Sequence, residues 1–444
     1  MDTGDELDLD VTSVAHGGVF VGRIDDPADD SGRGGRVVFV PDAIPGERVR
    51  IRLTDVGKKS FWRGEVLEVL DASPHRRPHI WRQADVSVPP HLRPGGADFG
   101  HIELSHQRAL KLEVLTDALK RFGGVDVPGI GVHPAGAAGV GTAGVGETED
   151  GTRWRTRVSL HVDADGYVGP FAARSHSVIA VEEYPLATAA VEHAALQLAQ
   201  ARPGRIDLVQ PADGRVRVIP RADAAKSGPR EAREVISERV GDRDFRVDAG
   251  GFWQVHRLAA ETLDGAVRAA ILDLASDGPA LDPDAWHLDL YGGVGLFAAA
   301  VAELGGTRVT SVESDARATE HAGRNLSEWA GARAETARVD RYVSRLLAEA
   351  SDRERARLAR GVTVLDPPRS GAGRGVVEGI AELGPAAVVY VACDPVALAR
   401  DVATFRDSGY ELRAVTSYDL FPNSHHVEAV ATFVRSDGNP GSRR

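Results

Sequence analysis

A single cysteine, Cys393, stands among 444 residues, which excludes an intramolecular disulfide and any four-thiolate zinc or iron–sulfur site, because each needs several sulfurs converging on one point. By itself the thiol reads either as a small buried hydrophobe or as a reactive group. Long apolar runs are also missing. The longest, such as Leu296 to Ala302, are far too short to cross a bilayer, so no membrane partner is expected. The opening residues, MDTGDELDLD, are acidic and carry neither a basic start nor an apolar stretch, which makes the cytoplasm the expected location. An excess of basic charge is lacking too: the net charge of −12 argues against indiscriminate nucleic-acid binding, since phosphates are repelled unless charge is arranged locally.

What is present is enough chain for two or three domains with a large buried core. From Asp8 to about Asp71, short apolar and β-branched runs (Val37-Val-Phe-Val40, Val49 to Leu53, Gly64 to Leu70) are broken by Gly, Pro and Asp turns. That spacing predicts a small antiparallel barrel over residues 1–71. Between Glu47 and Glu65 six basic residues (Arg48, Arg50, Arg52, Lys58, Lys59, Arg63) face three acidic ones, which is either a nucleic-acid-holding face or a solvated strand surface. Residues 72–250 read as a less regular α+β segment, with a helix from Ser105 to Phe122 and a Gly/Ala-rich loop from Pro134 to Gly146. In Arg153-Trp-Arg-Thr-Arg157, Arg153 and Arg155 flank Trp154, as in a strand that stacks a base and grips phosphates, or in a half-buried structural strand.

Over residues 251–436 strands alternate with helices, the pattern of a mostly parallel α/β sheet. Strands are expected at Trp286–Leu290, Arg308–Glu313, Val362–Asp366, Ala387–Cys393, Tyr410–Ser417 and His426–Val434, and residues 437–444 are expected to be a disordered tail. After the first of these strands comes Asp289-Leu-Tyr-Gly-Gly-Val-Gly-Leu-Phe-Ala298, where Gly293 and Gly295 allow a sharp turn and close approach of a ligand. Glu313 ends the next strand, placed to accept hydrogen bonds from a ribose. This pair fits a nicotinamide dinucleotide as well as S-adenosylmethionine, so an NAD-dependent oxidoreductase stays open on it alone. Two later strand ends weigh against that class. Val364-Leu-Asp-Pro-Pro-Arg-Ser-Gly371 sets Asp366, and Val391-Ala-Cys-Asp-Pro395 sets Cys393, at the edge where open α/β sheets bind ligands; a dehydrogenase needs neither. His425-His426 has no further clustered ligand, so no metal is assigned.

Two segments, Ala15-His-Gly-Gly-Val-Phe-Val-Gly22 and Val38-Phe-Val-Pro-Asp-Ala-Ile-Pro-Gly-Glu-Arg-Val49, resemble a TRAM domain, an OB-like RNA-binding barrel. Together with the motifs above they make the whole chain resemble the bacterial RNA (uracil-5-)methyltransferases. The resemblance implies a class I methyltransferase domain with a seven-stranded, mostly parallel Rossmann-like sheet, S-adenosylmethionine as cofactor and a tRNA or ribosomal RNA as partner; a monomer is expected. It implies that Gln254 (from Phe252-Trp-Gln-Val255), Tyr291, Glu313, Asp340 at the end of a third strand, and Asp366 contact the cofactor. Cys393 becomes the nucleophile, and Glu428 of Phe421-Pro-Asn-Ser-His-His-Val-Glu428 the general base. Arg369 and the barrel's basic face become candidates for holding RNA.

Departures from the family pattern are specific. Many members carry an iron–sulfur cluster on four cysteines, but the corresponding stretch here, His79 to Gln107, has none, so no cluster is expected. Gly292 stands where Cys is frequent, Ala392 where Ser is, Leu296 where Asn is, and His256 replaces a usual Asn. The implied chemistry is addition of the thiolate to C6 of a flipped-out uracil, which makes C5 nucleophilic. A catalytically silent RNA-binding protein would share the fold and differ only in not depending on Cys393.

Overall fold

The computed structural model describes residues 1–24, 35–136, 148–222, 230–274 and 281–436. Most of the Gly/Ala-rich loop and the whole tail 437–444 lie outside the described residues.

Strands β1 (Glu6–Ala15), β2 (Val19–Ile24), β3 (Arg36–Val40), β4 (Arg48–Asp55) and β5 (Trp62–Asp71) close a barrel in the order β1-β2-β3-β5-β4. The alternation in β4 drives this: Val49, Ile51 and Leu53 point into the core and the intervening arginines point out. Those arginines are answered by acids on the neighbouring strands, Arg48 and Arg50 by Asp8, Arg50 also by Glu68, and Arg52 by Glu6 and Glu65. The β4 face is therefore a solvated, internally neutralised surface. Lys58 and Lys59, in the loop after β4, are exposed, with the Lys58 ammonium 4.8 Å from the Phe61 ring.

The middle of the chain contributes α1 (Leu104–Arg121), a short strand β6 (Val132–Pro134), and the sheet β7 (Arg157–Val162), β8 (Val168–Gly169), β9 (Gly204–Val209) and β10 (Arg217–Ala222), ordered β10-β9-β7-β8 with α2 (Ala189–Leu196) against it. A hairpin follows, β11 (Val235–Val240) and β12 (Arg243–Asp248). The chain then runs α3 (Ala259–Leu272), β13 (His287–Leu290), α4 (Leu296–Glu303), β14 (Val309–Glu313), α5 (Ala316–Asn325), β15 (Ala332–Thr336), α6 (Val339–Glu349), α7 (Asp352–Leu358), β16 (Val362–Leu365), α8 (Arg374–Leu383), β17 (Ala387–Ala392), α9 (Pro395–Asp407), β18 (Tyr410–Asp419) and β19 (Glu428–Arg435).

The seven strands β13 to β19 form the expected mostly parallel sheet, and β6 adds an eighth at the edge, giving β15-β14-β13-β16-β17-β19-β18-β6. Strands β13 to β17 pair in parallel, while β19 lies antiparallel between β17 and β18. Both faces are covered, so β17 is apolar throughout: Ala387, Val389 and Val391 enter one core with α3 and α4, and Val388, Tyr390 and Ala392 enter the other with α1, α6, α8 and α9. Among the described residues no helix is long and apolar enough to cross a membrane.

One buried ion pair ties the middle segment to the sheet. Lys111 of α1, wholly inaccessible, donates to Asp419 at the end of β18 and, at 3.0 Å, to the Phe421 carbonyl, while Arg108 reaches Asp419 at 3.3 Å. Removing one partner strands a buried charge. Lys111→Met should therefore lower unfolding free energy by about 3 kcal/mol in urea titrations; a loss below about 1 kcal/mol would mean that Arg108 alone satisfies Asp419.

Candidate active site at the carboxyl edge of the sheet

The turn after β13 is held from beneath. Asp289 is fully buried; its Oδ2 accepts from the Ala298 amide (3.1 Å) and the Ser311 hydroxyl (2.9 Å), and burial pushes its carboxyl up to about 7. Tyr291 takes a left-handed conformation (φ 63°), and Gly293 (φ 54°) and Gly295 (φ 92°) follow in the same region, Gly295 capping α4. Gly292 is glycine for space: a Cβ there would lie 2.0 Å from Ser311 Oγ and 2.5 Å from Asp289 Oδ2, which explains why this chain does not carry the family's Cys. Glu313, ending β14, accepts from the Gly293 amide (3.3 Å) and the Asp315 amide (2.8 Å), so its carboxylate faces the glycine turn.

Strand order brings three further groups to the same edge. Asp366 follows β16, Cys393 follows β17, and Glu428 opens β19, on adjacent strands. Burial, with the charge of Asp289, pushes the Asp366 carboxyl up to about 7. Glu428 is 4% exposed, and burial together with Asp366 drives its pKa well above the carboxylate range, with Arg369 opposing. The Cys393 thiol is pushed up to about 12 by burial and then by Glu428 and Asp366, Arg369 again opposing. Burial and neighbouring charge thus favour the protonated form of each group.

A cavity of about 140 Å³ opens on the thiol, walled by Arg369, Asp394, His425 and His426, by Phe99 and Lys111 of the middle segment, and by Ala15, His16 and Gly17 of the barrel. The loop before Glu428 is pinned by Asn423, fully buried and at φ 65°. Its side chain donates to the Asp150 and Gly151 carbonyls (3.0 and 2.7 Å) and accepts from Arg77 (2.6 Å) and Gln107 (3.0 Å). His425 Nδ1 lies 2.7 Å from Asp98, and Arg369 donates to Nε2 of His426 at 3.4 Å. Burial pushes the His426 imidazole down to about 3, so the ring stays neutral and accepts that bond.

Asp366, Cys393, Glu428 and Arg369 are thus brought together, and the glycine turn joins them through Asp289. Asp340 does not end a strand: β15 stops at Thr336, and Asp340 lies exposed in the first turn of α6, bonded to Arg338 and within electrostatic range of Tyr291. Gln254 sits on the irregular stretch between β12 and α3, beside the buried Trp253. The segment around Trp154 corrects the base-stacking alternative. Arg153 has φ 61° and pairs with Glu192, strand β7 begins only at Arg157, and Trp154 is 3% exposed, stacked on His256. Arg155 is different: half-buried and within electrostatic range of Arg369, it donates to the Arg157 carbonyl and has no carboxylate partner among the described residues. Lys58 and Lys59 are not among the residues that line the cavity. Asp289, Asp98 and His16 were not singled out from sequence, because each acts through a partner distant in the chain; only the position of Asp289 at the head of the glycine motif could have flagged one of them.

Comparisons with known proteins bear on the family and the fold. The TRAM domain family model matches residues 2–67, and the tRNA (Uracil-5-)-methyltransferase model matches residues 264–435. An uncharacterized RNA methyltransferase of Streptomyces avermitilis is 36% identical over 96% of this chain and 98% of its own. One of Bifidobacterium longum is 35% identical over 90% and 92% respectively. Among solved structures, the Pyrococcus abyssi tRNA (uracil-54, C5)-methyltransferase in complex with S-adenosyl-L-homocysteine superimposes with a TM-score of 0.62, covering 93% of this chain and 100% of that one at 22% identity, a likeness of fold. The oxidoreductase alternative finds no support here.

Two measurements check the geometry without RNA. Gly292→Ala should cost about 1–3 kcal/mol of stability in denaturant titration, because the added methyl meets Ser311 and Asp289. Because Cys393 is the only thiol, alkylation of the native protein reports on it alone. With the thiol near 12, iodoacetamide should react at pH 8 roughly a thousandfold more slowly than with a free cysteine; reaction at the free-cysteine rate would contradict the described burial and charge.

Proposed function

This chain belongs to the RNA methyltransferase family that joins a TRAM domain to a tRNA (uracil-5-)-methyltransferase domain, and on that footing we propose that it methylates C5 of a uridine in tRNA or ribosomal RNA through a covalent bond between Cys393 and C6 of the base. The observation that carries this reading is the meeting, on adjacent strand ends, of the chain's only thiol and a buried carboxyl with a raised pKa, Glu428.

The glycine turn suits an adenosine-bearing cofactor. No atom stands where a Cβ of Gly293 would be, and Glu313 already accepts from that residue's amide, as it would from a ribose hydroxyl. S-adenosylmethionine bound there supplies an electrophilic methyl group. Tyr291, Gly295, Asp366, Gln254 and Asp340 complete its proposed contacts.

In the proposed reaction the Cys393 thiol gives its proton to solvent and the thiolate adds to C6 as the C5–C6 double bond opens, so that negative charge spreads over C5 and the C4 carbonyl oxygen and C5 becomes nucleophilic. The buried thiol resists ionisation near neutrality; of the charges around it Arg369 favours the thiolate, while Glu428, Asp366 and Asp394 oppose it. Once C5 carries its new methyl group, the Glu428 carboxylate removes the C5 proton, the C5–C6 double bond re-forms and the C6–sulfur bond breaks, the sulfur leaving as a thiolate that regains a proton from solvent. A carboxylate pushed above its ordinary range is a stronger base than one in water, and the same shift keeps it protonated in mild acid. Arg369 and Arg155 are proposed to hold anionic parts of the RNA or the developing enolate, and Lys58 and Lys59 to contact RNA further out. The barrel (1–71) and middle segment (72–250) would then present the flipped base to the catalytic segment (251–436).

The test is to incubate the protein with labelled S-adenosylmethionine and separate tRNA and ribosomal RNA pools lacking the modification, then identify the labelled nucleoside. Label should appear in 5-methyluridine in one pool; label confined to 5-methylcytidine, or none, would sink the proposal. With 5-fluorouridine RNA the wild type should form a covalent adduct and Cys393→Ala none, which also excludes a silent binding protein. Glu428→Gln should lower turnover by about 10²–10⁴-fold while an adduct accumulates on unsubstituted RNA. Turnover should fall as the pH drops through the raised Glu428 pKa, because only the deprotonated base is active; a rate flat across that range would remove Glu428 from the role.

A further inference from the structure

The barrel touches the thiol's surroundings through one turn. Residues 16–18 join β1 to β2, with Gly17 at φ 90° and Gly18 at φ 70°, and His16 and Gly17, with Ala15 at the end of β1, line the cavity that opens on Cys393. Contacts from three other parts of the chain hold the turn in place. His16 Nε2 lies 2.9 Å from Asp394 Oδ2, the Gly18 carbonyl accepts from Arg174 at 3.4 Å, and Gly18 packs so tightly on His425 that a Cβ would stand 2.7 Å from Nδ1 of that ring.

Asp394 is the residue next to the thiol. Strand β17 ends at Ala392 and α9 begins at Pro395, so Cys393 and Asp394 alone make the connection, and their geometry sets the direction of Sγ. One oxygen of Asp394 caps α9, accepting from the amides of Val396 (3.0 Å) and Ala397 (2.8 Å). The other is held by His16. With both oxygens fixed, the carboxylate cannot rotate.

We infer that His16 is a positioning residue for Cys393: by holding Asp394 from the barrel it fixes the two-residue connection that aims the thiol, and makes docking of the barrel turn part of assembling the active site. The inference rests on the reading of Cys393 as nucleophile. The charges around His16 give the contact a pH dependence. Asp394 and Arg400 of α9 face it directly, and Arg369, His425 with its partner Asp98, His426, and Lys111 with its partner Asp419 stand around the same cavity. The hydrogen bond to Asp394 raises the His16 pKa against the opposing effects of burial and Arg400. Below that raised value the contact is an ion pair; above it a neutral ring still donates, but the charge is gone, so the tie weakens as pH rises.

The test compares the full-length wild type with His16→Ala and with His16→Gln, which keeps an N–H donor for Asp394. Alkylation by iodoacetamide, without RNA, should be about fivefold faster in His16→Ala as the turn releases the cavity. In the same variant kcat for methyl transfer to a total RNA pool lacking 5-methyluridine should fall about tenfold or more with KM for RNA little changed, since the thiol is misaimed rather than the RNA unbound. His16→Gln should restore most of both. In the wild type the alkylation rate, corrected for thiolate fraction, should rise through the His16 titration, and in His16→Gln that step should vanish. Unchanged alkylation in His16→Ala with only KM raised would overturn the inference and make His16 an RNA contact. Should Cys393→Ala still transfer methyl groups while His16→Ala alters alkylation as expected, the nucleophile reading fails and the aiming of the thiol by His16 stands.

Discussion

Placing several carboxyl groups out of water around one thiol is the constraint on which this molecule turns. Asp289, Asp366, Cys393 and Glu428 stand at the carboxyl edge of strands β13, β16 and β17 and at the start of β19, neighbours in the sheet although up to 139 positions separate them in the chain (428 minus 289). Desolvation raises the pKa of each group first; Asp289 then raises Asp366, Asp366 raises Glu428, and Glu428 and Asp366 raise Cys393. Arg369, exposed at the rim, supplies the opposing charge, and the half-buried Arg155 lies within electrostatic range of it. The edge is therefore a site with an acidic floor and a basic wall, suited to a proton-transferring reaction on a partner that itself carries negative charge.

That electrostatic arrangement depends on parts of the chain that do no chemistry. The loop leading into Glu428 would be a long excursion between β18 and β19 were it not for Asn423, whose amide and backbone meet donors and acceptors from Arg77, Phe99, Gln107, Asp150 and Gly151. The Lys111–Asp419 pair locks the start of the same loop to α1. With β6 added to the sheet edge, these links make the middle segment a structural support of the edge that carries Cys393 and Glu428. The barrel joins the same assembly through His16 and Gly18, so three segments of the chain converge on the cavity over Cys393.

Local patterns were informative where the physics is local. An apolar run such as Ala387 to Ala392 reads as a strand covered on both faces because every residue is apolar, and the glycine turn reads as a turn because backbone with positive φ favours glycine. Where the sequence leaves alternatives open, a distant partner decides between them. The β4 arginines fit either a basic face or a solvated strand surface, and Asp8, Glu6, Glu65 and Glu68 alongside make them the second; Trp154 fits either base stacking or a structural role, and His256 stacked on it gives the second. Asp340 was expected at a strand end, and the strand stopped four residues earlier.

The amino-acid order alone thus settles the fold class, the family likeness, and the uniqueness of the thiol, since these follow from residue type, short-range period and spacing. It does not settle the ionisation of Cys393, Asp366 and Glu428, or the meeting of His16 with Asp394 across 378 positions. Those are properties of desolvation and through-space charge, which exist only after the sheet order has brought remote strand ends to one edge and the barrel turn has come to rest beside them.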